Sequence, residues 1–333
     1  MRPVTAEDIN ESLTAERYRV FSQIDAHDLS PSYVKSAVGI ASDPSMLEYI
    51  DSLPPSKRHA GYLFSVARYL EAPLDSYDRF KQHLIDRWDE VERIARERTM
   101  QTNDPARLLA LLPVLAGIEG PIALLEVGAS AGLLLNADRY SYQYDDGPWL
   151  HPADGPSEVR LTTETRGPVP VPERMPQIVW RAGIEMNPLD LEDPDDVAWL
   201  SALLWPDDPS RVQATSAAIE LMRREPVRIV PGDLNDELAR LAETAPPEAT
   251  LVVMHSAVLS YLTQEDADRF VATVRALGAV WIANELADVV PGVSDAGERD
   301  STESFSFVVA KDGVPVARTH PHGAWVRWLT PTD

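Results

Sequence analysis

A change of period at Gly120-Pro121 constrains this chain more than any other feature. After it, apolar runs of strand length ("IALLEVGA", "QIVWRAGIE", "VRIVPGDL", "ATLVVMHSA", "AVWIANEL") alternate with segments of helical spacing such as "NDELARLAETA" and "TQEDADRFVATVRALG". An unbroken apolar run suits a strand covered on both faces, as in a parallel sheet. Strands alternating with helices predict an α/β fold with a doubly wound, mostly parallel sheet. The tail "SFSFVVAKDGVPVARTHPHGAWVRWL" predicts a C-terminal antiparallel hairpin turning at Asp312-Gly313.

Residues 1–118 contain no run of period two and predict an all-helical N-terminal cap domain. Ser30-Pro31 and Asp43-Pro44 carry the signature of helix starts, a capping side chain followed by proline. Residues 119–333 form the predicted Rossmann-like domain. Within it, the Pro- and Gly-rich stretch at about 145–177 reads as an insertion, with "EVRLTTE" as an edge strand. The alternation in "YSYQY" predicts a strand with Tyr140, Tyr142 and Tyr144 on one face.

The formal charge is −23 over 333 residues, so the chain repels phosphate backbones and anionic lipid at long range. Neither nucleic acid nor a membrane is an expected partner. No cysteine is present, which excludes disulfides and thiolate-ligated zinc. No apolar run reaches membrane-spanning length and the N-terminus lacks a signal-like core, which predicts a cytoplasmic protein. No pair of histidines stands at metal-ligand spacing with acids, and no metal is expected.

The stretch "LLEVGASAG", residues 124–132, admits two readings. Gly128-Ala129-Ser130-Ala131-Gly132 fits the G-x-S-x-G elbow of a serine hydrolase, with Asp233 or Asp295 and His320 or His322 in the required order. An elbow strand is normally preceded by other strands, however, and here a helical region precedes it. The same residues fit a glycine turn that lets backbone approach a cofactor after the first central strand. That reading places the chemistry at the carboxyl ends of the strands. Glu185 follows the next strong strand, where a carboxylate accepts both hydroxyls of a ribose. Asp233 follows the one after, and His255 and Ser256 end the fourth.

"LLEVGASAG", "RAGIEMNP", "VPGDLND" and "VVMHSAV", in this order and followed by a strand hairpin, resemble a class I S-adenosylmethionine-dependent methyltransferase over roughly residues 120–330. The whole chain also resembles an uncharacterised bacterial family, a domain of unknown function, that carries such a fold behind a helical N-terminal region. The resemblance implies that S-adenosylmethionine is the cofactor and a small or medium-sized molecule the methyl acceptor. By position, Glu126, Gly128, Ala129, Ser130 and Gly132 would cradle its methionine part. Glu185 would hold the ribose, Asp233 and Leu234 would flank the adenine, and His255 would face the methyl group as a base. Gln101, Asn103, Tyr140 and Ser256 would line the acceptor pocket, with the N-terminal helices closing over the strand ends. Two positions depart from the pattern: Ser130 stands where a glycine is usual, and the gap from Gly132 to Glu185 is long, which makes Glu164 a rival for the ribose.

Each residue also has a purely structural role open to it. The glycines suit a tight strand–helix turn, Glu126 a favourable charge near a helix N-terminus, Asp233 a helix cap, and His255 a hydrogen-bonded core histidine. The rival functions are a hydrolase using Ser130 and a non-catalytic binding protein that retains the fold.

Overall fold

The computed structural model describes residues 6–27, 29–291, 293 and 306–329, with the side chains of 6–12 not described. Eleven α-helices and ten strands lie among the described residues. The chain divides into two compact units, one of residues 1–102 and 193–212, the other of 103–192 and 213–333.

The first unit is helical. It contains α1 (Ala6–Val20), α2 (Pro31–Ala41), α3 (Pro44–Ser52), α4 (Ala60–Tyr69), α5 (Tyr77–Asp86) and α6 (Trp88–Glu97). The Ser-Pro and Asp-Pro signatures act as expected. Ser30 Oγ accepts from Tyr33 N–H, and Asp43 accepts from Ser45 and Met46 N–H. Apolar residues keep helical spacing from Ser76 to Met100, yet the helix breaks at Arg87, whose φ of −118° leaves the helical region. Its guanidinium meanwhile binds the Leu70 carbonyl and Glu90. Residues 193–212 rejoin this unit through α8 (Pro194–Ala202). Arg98 binds both Asp195 and Asp196, and Trp199 donates from its indole to the Thr99 carbonyl.

Near the start of the second unit, Asp104 caps a short turn leading into α7 (Leu108–Ala116). This helix falls inside the segment read as the helical N-terminal region, yet clusters with the sheet. Then come β1 (Pro121–Val127), β2 (Ser141–Tyr144), β3 (Arg160–Arg166), β4 (Gln177–Glu185), the remainder of α9 (Pro209–Arg224), β5 (Arg228–Pro231) and α10 (Leu234–Ala242). After them run β6 (Thr250–Ser256), α11 (Gln264–Ala276), β7 (Val280–Leu286), β8 (Phe307–Lys311), β9 (Val314–Thr319) and β10 (Trp325–Trp328). All ten strands form one mixed, mostly parallel sheet in the order β2-β3-β10-β9-β8-β7-β6-β1-β4-β5. The hairpin β8–β9 turns at Asp312-Gly313, both with positive φ, as the sequence predicts.

Two features of the sheet go beyond the sequence reading. The C-terminal hairpin is not an edge: β10 pairs antiparallel with β9 and then parallel with β3. The long gap before Glu185 carries β2 and β3, which extend the sheet at the edge remote from β1. "GLLLNADRY" forms a short 3-10 helix, Leu133–Asn136. The three tyrosines are buried, and their hydroxyls donate to the carbonyls of Leu133, Ala137 and Leu109. A buried phenol needs such a partner. Tyr144→Phe leaves the Leu109 carbonyl without that donor and should cost about 1 kcal/mol of stability, read from urea unfolding.

Candidate functional site

Register sets which side chains share a space. In paired strands, facing residues point to the same side and alternate residues to opposite sides. Glu126 faces Gly183 on β4 and Met254 on β6, and Ser256 faces Asn284 on β7. Glu126, Glu185, Ser256 and Asn284 therefore share one face at the carboxyl ends of the parallel strands. Val127, Ile184, His255 and Glu285 take the other face. Val127 and Ile184 pack there in an apolar cluster with Phe270 and Val271 of α11 and Trp281 of β7.

The glycine turn is built by backbone demands. Gly128, Ser130 and Gly132 all have positive φ, at 68°, 51° and 76°. A Cβ at Gly128 would run into Val258, and one at Gly183 would lie 2.6 Å from Ala129 Cβ. The N–H groups of Gly128 and Ala129 both donate to the Ile184 carbonyl. Ser130 N–H donates to Glu185 Oε2 at 2.8 Å, and Asn187 N–H to Glu185 Oε1 at 3.1 Å. Leu133 N–H donates to Asn103 Oδ1 at 2.7 Å, so Asn103 pins the far side of the turn.

Glu185 thus lies where the sequence places it, on the strand beside β1. Its rival Glu164 is on β3, opposite Trp325 and toward the other edge of the sheet. Asp233 caps α10, accepting from Asn235 N–H, while Gly232 N–H donates to the Glu185 carbonyl and holds this loop beside β4. Leu234 packs in the apolar cluster. Tyr140 is tied to the turn through the Leu133 carbonyl. Gln101 belongs to the first unit.

His255 is fully buried and has both ring nitrogens engaged. Trp281 Nε1–H donates to its Nε2 at 2.9 Å, and an indole N–H can only donate. The ring proton therefore sits on Nδ1, 2.7 Å from Glu285 Oε1. The same oxygen accepts from Val258 and Leu259 N–H and so fixes the turn after β6. Strand parity puts this assembly on the face opposite Glu126. His255 links β6, β7 and the following turn, and it does not present a free nitrogen to the other face.

Glu126 and Arg107 form the electrostatic centre of the site face. Glu126 is 1% exposed, and its Oε2 has no hydrogen-bond partner among the described residues. Burial pushes its carboxyl well above the usual carboxylate range; the Arg107 charge pulls it back and Glu185 pushes it further. Arg107 is buried too, donating to the carbonyls of Ser256 and Pro321. Burial lowers its pKa, and the fields of Asp104, Tyr261, Glu285 and Glu126 oppose that. The sequence reading missed Arg107, which lies in a leucine-rich helical stretch; its one signal was a lone cation four residues after Asn103. It also missed Asn284, masked inside the apolar run "AVWIANEL". Asn284 is 1% exposed, and its Nδ2 donates to Ser256 Oγ at 3.0 Å. Among the described residues, no cluster of three metal-ligating side chains occurs, and no helix is long and apolar enough to cross a membrane.

The chain belongs to a family described as an uncharacterized protein conserved in bacteria (DUF2332), whose model matches residues 15–328. No curated protein and no solved structure matches it.

The raised pKa of Glu126 has a consequence for stability. A carboxyl that holds its proton more tightly when folded favours the fold most below the unfolded carboxyl pKa, near 4.3. That contribution is lost as pH rises through the folded pKa. Glu126→Gln, which cannot ionise, should therefore gain stability over the wild type as pH rises from about 4 to about 8. Urea unfolding of both proteins across that range checks this; a difference that does not change with pH would show that Glu126 ionises freely in the fold.

Proposed function

From the geometry of the strand ends, we propose that the protein is an S-adenosylmethionine-dependent methyltransferase acting on a small or medium-sized acceptor. One observation carries this reading. The Glu185 carboxylate is bonded to an N–H of the glycine turn, on the strand next to β1. After β2 and β3 at the far edge, the chain lays β4 and β5 on one side of β1 and then returns to β6 and β7 on the other. A crevice beyond the strand ends at such a reversal is where open α/β sheets take their ligands.

The residues suit an adenosyl ligand. Each Glu185 oxygen accepts one backbone N–H. A carboxylate oxygen can accept more than one hydrogen bond, which suits Glu185 to a ribose hydroxyl as well as to the turn. Gly128 and Gly132 let the chain turn at positive φ, and the space a Cβ would take is filled by Val258 at the first and by Ile229 and Met222 at the second. The unpartnered Glu126 Oε2 is enclosed beside them and fits a donor on the methionine part. Asp233 stands beyond β5, where its loop is held against the Glu185 backbone.

When bound, the cofactor supplies a methyl group already activated by a positive sulfur. What this chain contributes is alignment, and holding two reactants in line lowers a barrier by roughly 7–11 kcal/mol. Glu185 fixes the ribose end, the turn fixes the methionine end, and the β6 turn held by Glu285 sets the floor beside Gly128. His255 takes no part as a base, because both nitrogens are committed on the other face.

The hydrolase reading keeps one feature, the positive φ of Ser130. It lacks the helix expected after an elbow, since a 3-10 turn follows. Of its other candidates, His320 Nδ1 accepts from His322 N–H, the His322 ring lies 3.4 Å from Asp104, Asp233 caps α10, and Asp295 lies outside the described residues.

Calorimetry with S-adenosylhomocysteine tests the proposal. Micromolar binding is expected, weakened by about ten- to a hundredfold in Glu185→Ala, since one or two charge-assisted hydrogen bonds are lost. No binding of either S-adenosylmethionine or S-adenosylhomocysteine at millimolar concentration would end the methyltransferase reading.

A further inference from the structure

Asn284 on β7 is the polar residue of the site face that the cofactor does not account for. Its amide is oriented by Ser256, which accepts from Nδ2 at 3.0 Å. Its Oδ1 is enclosed and has no hydrogen-bond partner among the described residues. A buried amide oxygen rarely stays unpaired. The group that completes it must bring an N–H or O–H; a carboxylate or phosphate brings only lone pairs.

Charge narrows the choice. Arg107 is one guanidinium in the field of Asp104, Glu285 and Glu126, and Glu126 also feels Glu185. Leaving out Glu126, whose protonated form burial favours, and Glu285 on the opposite face, Asp104 and Glu185 still outnumber the one guanidinium, a balance that disfavours an anionic acceptor and suits a neutral or positively charged one. Chemistry narrows it again. A hydroxyl must lose its proton as it is methylated, which calls for a base. The histidine at the strand ends is sealed on the opposite face, and burial favours the protonated form of Glu126. A neutral amine already carries its lone pair, and an alkylammonium, with a pKa of about 10, gives its extra proton to water before it reacts and needs no enzymic base.

Resting on the methyl-transfer reading, we propose that the acceptor is an amine, bound through an N–H to Asn284 Oδ1. In the transfer, the nitrogen lone pair forms the new N–CH3 bond while the S–CH3 bond breaks. That bonding pair stays on sulfur, turning the sulfonium into a neutral thioether. The nitrogen takes over the positive charge and then releases one proton to water. Asn284 directs the N–H away from the donor, leaving the lone pair to face it.

The probes are n-butylamine, n-butanol and butyrate, titrated by ligand-observed NMR into the full chain saturated with S-adenosylhomocysteine. Butylamine should bind at least tenfold more tightly than either of the others. Asn284→Leu should lower its affinity at least tenfold while S-adenosylhomocysteine affinity stays within twofold; Asn284→Asp, which keeps an acceptor oxygen, should retain amine binding. Butanol or butyrate binding as tightly as butylamine would overturn the proposal, as would an Asn284→Leu protein that binds the amine unchanged. The probe ranking on the unaltered protein decides the matter even where the leucine variant fails to fold. Failure of S-adenosylhomocysteine to bind sinks the cofactor reading and this proposal with it. Failure of the amine on loaded protein sinks the proposal alone.

Discussion

The carboxylate of Glu185 is the interaction on which the site depends. Its two oxygens reach two N–H groups, Ser130 in the glycine turn after β1 and Asn187 in the turn after β4. A carboxylate binding backbone amides makes charge-assisted hydrogen bonds, roughly twice as strong as neutral ones. Here they lock together two loops that leave adjacent strands. Around them, Gly128 and Ala129 donate to Ile184, and Asn103 takes Leu133 N–H. The turn is held from both sides before any ligand arrives, and such preorganisation lowers the cost of binding.

The same residues show how much could be read in advance. The strands after Pro121, their parallel pairing, the Asp312-Gly313 hairpin and the Ser-Pro and Asp-Pro helix starts were all legible, because each follows from local period or capping chemistry. Glu185 was legible as the residue after a strong strand. The route of the chain between Gly132 and Glu185 was not. Whether β2 and β3 join the near or far edge of a sheet depends on long-range pairing with β10, which no local pattern encodes. The break at Arg87 was hidden for a related reason: the apolar spacing is helical on both sides, and only the tertiary contacts of its guanidinium mark the interruption.

His255 illustrates a limit of position alone. It ends an apolar strand at the right end of the sheet, so its rank along the chain suggested chemistry. Parity decides otherwise. His255 and Ser256 are consecutive, and that single step moves the imidazole to the face covered by Phe270 and Trp281. There it acts through Glu285, whose Oε1 gathers the ring N–H and the Val258 and Leu259 amides. The turn so fixed is the one against which Gly128 packs, and Ala257 within it keeps a φ of +60°. A non-glycine residue in that region costs of order 1 kcal/mol or more and persists only where its surroundings determine it.

The two faces of the sheet end therefore do different work from the same strands. On one, His255 and Glu285 are bonded to each other, to Trp281 and to the Val258 and Leu259 amides, and apolar side chains surround them. On the other, Glu126 and Asn284 each retain a buried oxygen without a partner among the described residues. Stability alone favours the first arrangement, because an unpaired buried acceptor costs about 1–3 kcal/mol. Local conflicts of that kind concentrate where a protein binds something. The asymmetry singles out the Glu126–Asn284 face, rather than the histidine that attracts the eye in the sequence, as the side of the sheet on which chemistry is to be sought.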